Sequence, residues 1–113
     1  MKYFKLEEFA CKHCGKVRMD QDFLANLDYA RELAKTPFVI TSGYRCEAHN
    51  NAINGDPDNH PKGIAADIAC DTGPKRLAIV SALLAAGFER IGLGPTFIHV
   101  DQAPGKIASM FYE

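Results

Sequence analysis

Two histidines and an aspartate carry the chemistry that this sequence could do. His60 and Asp67 stand seven residues apart in His60-Pro61-Lys62-Gly63-Ile64-Ala65-Ala66-Asp67, and His99 follows in Phe97-Ile98-His99-Val100-Asp101. Two imidazoles and one carboxylate make a three-ligand zinc site with the fourth position open to water, the arrangement of catalytic rather than structural zinc. An isolated histidine near a turn is more often a satisfied surface residue than a ligand, so its surroundings must carry the reading. Gly63, Ala65 and Ala66 are small, which lets backbone approach closely. Asp67 lies inside the apolar run Ile64 to Ala69. A carboxylate buried there without a partner is costly, so it must be paired or bind a metal. His99, between Ile98 and Val100, poses the same demand.

The elements that must position these residues follow from spacing and punctuation. Asp20 can cap a helix running to about Lys35, with Phe23, Leu27, Ala30 and Ala34 on its core stripe and Leu24 and Leu33 widening it. Thr36-Pro37 ends it. Phe38 to Thr41 is predicted as a buried strand and Glu47 to Ile53 as a short helix. The polar loop from Asn54 to Asn59 delivers His60. Ile64 to Cys70 is a second strand. Thr72 or Asp71 caps a helix with Pro74 in its first turn and Gly87 at its stop. Leu77, Val80 and Leu84 are expected on its inner face, with Ile79, Leu83 and Ala86 nearby. Arg90 to Gly94 and Thr96 to Asp101 make a hairpin-like pair, and Ile107 to Tyr112 a last edge strand. Alternate strand side chains share a face, so Phe97, His99 and Asp101 point one way while Ile98 and Val100 point the other. Asp67 shares its face with Ala65 and Ala69. The expected class is α+β: one small domain over residues 1–113, an antiparallel sheet with helices packed on one side.

Asp58-Asn59-His60-Pro61-Lys62-Gly63-Ile64-Ala65-Ala66-Asp67 resembles the S-x-H-x-x-G-x-A-x-D segment of the zinc D-Ala-D-Ala metallopeptidases, with Asp58 in place of the leading serine. Ile98-His99-Val100 is similar to that family's apolar-His-apolar strand, and Thr41-Ser42-Gly43-Tyr44-Arg45 to its S-G-Y-R segment. The likeness runs from about Phe4 to Pro104. The family includes D,D-carboxypeptidases, murein endopeptidases and phage endolysins, and shares its fold with the hedgehog signalling domain. The resemblance implies Zn2+ on His60, Asp67 and His99, with peptidoglycan stem-peptide or cross-link bonds as substrate. It also implies that Arg45 faces the active site, where a planar fork suits a carboxylate or a developing oxyanion. Relatives usually carry a Glu or Asp base three residues before the second histidine; here that residue is Thr96, which cannot take a proton. Asp101 is the expected base, with Glu89 or a loop carboxylate such as Asp58 in reserve. The alternative role for Asp101 is an acceptor that orients His99. Without a base, the domain would be a catalytically inactive metal-binding module of the same fold.

Composition excludes other classes. The chain is 47% hydrophobic and 24% charged with a formal net charge of -1, ordinary for a soluble globular domain and without the basic footprint of a nucleic-acid binder. No run is long enough to insert in a membrane. The first residues lack the apolar core of a signal peptide, so the expectation is synthesis in the cytoplasm and action on the cell wall after holin-type release or another export route. Four cysteines remain: Cys11, Cys14, Cys46 and Cys70. Cys11-Lys12-His13-Cys14 could hold a structural zinc with His13 or Cys46, but reduced thiols packed as small hydrophobes are the simpler expectation.

Overall fold

Capping residues place the helices in the computed structural model, which describes all 113 residues. Helix α1 spans Gln21–Ala34; the Asp20 carboxylate accepts from the Phe23 N–H at 2.9 Å, and Lys35 ends the helix at φ 54°. Phe23, Leu24, Leu27 and Ala30 are buried, as their spacing predicts, whereas Leu33 is 39% exposed. Helix α2 spans Glu47–Ala52. Helix α3 spans Gly73–Ala85, with the Thr72 hydroxyl accepting from the Lys75 N–H. Its inner face is Ile79, Ala82 and Leu83, not the expected stripe: Leu77 is 71% and Leu84 51% exposed. Two overlapping apolar stripes fit the helical period, and only the surface offered by α1 and the sheet chooses between them.

Five strands form one sheet: β1 Ile40–Ser42, β2 Ala65–Ala69, β3 Arg90–Leu93, β4 Phe97–Asp101 and β5 Ser109–Tyr112. Their order is β1-β2-β4-β3-β5. Pairing is antiparallel except at the edge, where β5 runs parallel to β3. The turn at Ala103-Pro104-Gly105 reverses the chain after β4, so the last strand runs in the direction of β3. The first strand begins later than predicted, although Val39 already accepts from the Ala69 N–H at 2.8 Å.

The sheet has two chemically different faces. Ile40, Ala66, Ile68, Ile91, Ile98 and Val100 pack with Phe23, Leu27, Ile79 and Leu83 into the core, so α1 and α3 cover that face. On the opposite face one row crosses the sheet by register: Ser42 beside Asp67, Asp67 beside His99, His99 beside Gly92, and Gly92 beside Phe111. The domain is therefore α+β with its polar row on the uncovered side. A 3-10 turn at His60–Lys62 precedes β2 and closes on Gly63 at φ 72°. Gly63 lies against the backbone of Arg18 and Met19, and its carbonyl accepts from the Asp20 N–H at 2.9 Å. A side chain here would meet both an unfavourable φ and the main chain before α1. Gly63→Ala should lower stability by more than about 1 kcal/mol, read from denaturant melts; an unchanged midpoint would mean that the Arg18–Met19 segment moves aside freely.

Candidate metal centre

Each of the three predicted ligands is fixed by a different local device. Asn59 caps the 3-10 turn, and its side-chain oxygen accepts from the His60 N–H at 2.6 Å. The His60 Nδ1 lies 2.7 Å from the carbonyl of Gly43. A carbonyl can only accept, so Nδ1 carries a proton and Nε2 is the nitrogen left to ligate a metal. That Nε2 faces the Asp67 Oδ1 at 3.5 Å. Asp67 and His99 are direct cross-strand partners, and the His99 Nδ1 lies 2.9 Å from the same oxygen. The His60 Nε2, the Asp67 Oδ1 and the His99 Nδ1 thus converge, all within 4.8 Å of one another.

The far side of His99 is also held. Its Nε2 lies 2.7 Å from the Asp101 Oδ2, while the Asp101 Oδ1 accepts from the Arg90 Nε at 2.9 Å and from the Ala103 N–H at 3.0 Å. Burial alone would push the His99 pKa down, but hydrogen bonds and charge from Asp101 and Asp67 outweigh it and hold the value up at about 9. Burial likewise opposes ionisation of Asp67, and bonds to His60 and His99 overcome it, leaving its carboxyl well below the usual range. Asp101 is lowered too: burial works against the charge, while His99, the Ala103 N–H and Arg90 favour it.

This donor set fits zinc. Two imidazole nitrogens and a carboxylate oxygen converge, and the remaining nitrogen of each histidine is bonded to an acceptor that fixes the ring. The proton on the His99 Nδ1 is the one that a metal would replace.

The site opens into a cavity of about 410 Å³ whose wall includes Arg45, Asp56, Arg90, Phe111 and Glu113. Arg45 is where the sequence places it, with Nη1 donating to the Asn50 Oδ1 at 3.0 Å and Nη2 to the Ser42 Oγ at 3.1 Å. Asp101 shares the His99 strand face as expected, but its carboxylate is 1% exposed and lies on the side of the ring away from Asp67. That geometry suits the orienting role and not that of a base. Glu89 and Asp58 are exposed and lie outside this cavity, as does Thr96. Sequence reasoning missed Arg90 and Glu113. The signal for Arg90 was its place opposite Asp101 in the hairpin register. Glu113 follows the edge strand, and no spacing rule points it inward. Gly92 makes room for it: a Cβ there would come within 2.8 Å of the Glu113 side chain and 2.9 Å of the Phe111 ring.

A sequence model of the family described as Peptidase M15 matches residues 2–101. A search of curated proteins finds no significant match.

Three outcomes follow from His99 and its support. In the metal-free protein its pKa rises from 6.5 to about 9, so the stabilisation from its ion pairs is complete below pH 6.5 and is lost as pH rises through 9. Thermal melts of the apoprotein should fall across that window. At pH 7, zinc binding should release about one proton, measured by calorimetry in buffers of different ionisation enthalpy; no proton release would mean that His99 is already neutral. Asp101→Asn should weaken zinc affinity about 10- to 100-fold, read by competition with a chromogenic chelator, and wild-type affinity would remove Asp101 from the support of His99.

Proposed function

The chain belongs to the peptidase M15 family of zinc metallopeptidases, and from that premise we propose that it hydrolyses peptide bonds of peptidoglycan, in the stem peptide or in a cross-link. The observation that carries the proposal is the convergence of His60, Asp67 and His99 at an open polar cavity with Arg45 on its wall. A D,D-carboxypeptidase or endopeptidase reaction fits this wall, because both substrates place a carboxylate or a polarised carbonyl where a guanidinium can meet it. Delivery to the wall after release from the cell, as for a phage lysis protein, accords with a chain that has no helix long and apolar enough to cross a membrane.

His60, Asp67 and His99 would hold the zinc ion. Zinc, when bound, lowers the pKa of water and polarises a carbonyl. The protein's own groups do the rest. Arg45 keeps three N–H groups beyond those given to Asn50 and Ser42, and these are available to a substrate carbonyl oxygen as charge develops on it. Asp101, locked by Arg90, holds the His99 ring in one orientation.

A proton acceptor is still required. Besides Asp67, the carboxylates on the cavity wall are Asp56 and Glu113. The Asp56 Oδ1 accepts from the Asp58 N–H at 2.8 Å and its Oδ2 faces Lys106 at 3.8 Å. Glu113 has no ion-pair partner, and its Oε1 lies against Gly92, the cross-strand neighbour of His99. Glu113 is therefore our assignment for the base that takes the proton of water and passes it to the leaving amine.

Purified sacculi incubated with the protein should release muropeptides identifiable by mass spectrometry, and chelator should stop the release. Glu113→Gln should keep the metal and lose about 10²-fold or more in rate. A rate near wild type would transfer the role to Asp56. Arg45→Lys should reduce turnover more than metal affinity, because the fork is lost while the charge stays. Intact sacculi after digestion with zinc-loaded wild type would overturn the peptidoglycan assignment.

A further inference from the structure

The four cysteines do not share one fate. Cys70 is part of the hydrophobic core, as the packing expectation has it. Cys11 is buried as well, but it gathers with the half-buried Cys46 and the exposed Cys14, their sulfur atoms within 4.8 Å of one another. Cys11 and Cys14 come together because the chain turns on itself: the Gly15 N–H donates to the Cys11 carbonyl at 2.8 Å, and the Cys11 N–H to the Lys16 carbonyl at 2.7 Å. Cys46 arrives from 35 residues beyond Cys11, at the start of α2, and its backbone N–H donates to the Cys11 Sγ at 3.4 Å. The His13 Nδ1 lies 3.4 Å from the Cys46 Sγ, and its ring stacks on that of His49.

We propose that Cys11, Cys14 and Cys46, with His13 as the fourth ligand, form a second zinc site that is structural rather than catalytic. Three thiolates and one imidazole are the donor set of closed structural zinc. In a tetrahedral site with bonds of about 2.0 to 2.3 Å, ligand atoms are about 3.5 to 3.8 Å apart; the three sulfurs already cluster, and the exposed His13 ring, beside Cys46 at 3.4 Å, closes the site by drawing in toward Cys11 and Cys14. Soft thiolates select zinc over magnesium or calcium. Backbone N–H groups aimed at a sulfur are what a metal thiolate accepts. Cys14 and His13 are exposed, so an ion can enter from solvent.

The site would clamp two segments on which the first metal centre leans. The Tyr44 N–H donates to the Phe9 carbonyl at 2.8 Å, and the Gly43 carbonyl holds His60 at 2.7 Å. Fixing Cys46 to the Cys11–Gly15 turn therefore steadies the Gly43–Arg45 loop from both ends. Nothing in this assignment rests on the peptidase reading.

Metal analysis of zinc-loaded, desalted protein should give two ions per chain in wild type and one in Cys14→Ser, a substitution at an exposed thiol that leaves the core untouched. His60→Ala/His99→Ala should also retain one ion, and a thiol-blocking mercurial should release it. With cobalt in place of zinc, wild type should display an intense sulfur-to-metal charge-transfer band that Cys14→Ser lacks and His13→Ala perturbs. Equal metal content in wild type and Cys14→Ser, absence of the charge-transfer band, or a freshly purified mass lowered by two hydrogens through a Cys11–Cys46 or Cys11–Cys14 disulfide would each overturn the proposal. Because stoichiometry and spectrum are read without substrate, a failed sacculus digestion leaves this test unaffected.

Discussion

Asp67 is a carboxylate set into an apolar strand, and its Oδ1 faces His60 at 3.5 Å and His99 at 2.9 Å. Removing a carboxylate from water without a partner costs more than a small domain can spare. Two imidazoles offset that cost in the metal-free protein, and a dication would offset it when bound. Either way the charge obliges β2, β4 and the loop before β2 to meet at one point. Every buried side-chain nitrogen and oxygen in the chain finds a hydrogen-bond partner, so the polar centre is fully satisfied rather than strained.

Support spreads outward from that point in both directions along the sheet. Toward β1, the Gly43 carbonyl fixes the tautomer of His60, and Gly43 itself is held where the chain crosses the turn at Phe9. Toward β3, Asp101 fixes His99 and Arg90 fixes Asp101, with the guanidinium packed 5.0 Å from the Phe111 ring. A site built on paired strands with each ligand braced by a further hydrogen bond holds its geometry better than one carried on free loops. The cost of this rigidity falls on the candidate base. A buried carboxylate already holding ring, guanidinium and backbone is better placed to orient His99 than to accept from water. Of the two roles that the strand pattern left open for Asp101, the geometry favours the orienting one.

The sheet reconciles these demands with folding by keeping its two faces chemically distinct. Ile68, Ile98 and Val100 bury against the helices, while Asp67, His99 and Phe97 line the other side from the same two strands. A slip of one residue in the β2–β4 register would turn the slipped strand over, sending its candidate ligand into the core and its isoleucine into the cavity, so apolar burial and ligand placement enforce the same pairing.

What could be read from the chain itself was whatever depends on local period and local chemistry. Alternation in Phe97 to Asp101 put His99 and Asp101 on one face; Asp20 and Thr72 marked helix starts by their capping side chains; an Asp in an apolar run demanded a partner. Those features are legible because strand period, capping and desolvation act within a few residues. Tertiary packing decided the rest. Which of two stripes of α3 turns inward depends on α1 and the sheet, not on the helix. Which side of the His99 ring Asp101 occupies depends on Arg90 across the hairpin. That Cys46 joins Cys11 and Cys14, and that Glu113 reaches the space opened by Gly92, are meetings of segments far apart in sequence. No period or propensity encodes such distances, because they are set only when the whole sheet and its helices close on one core.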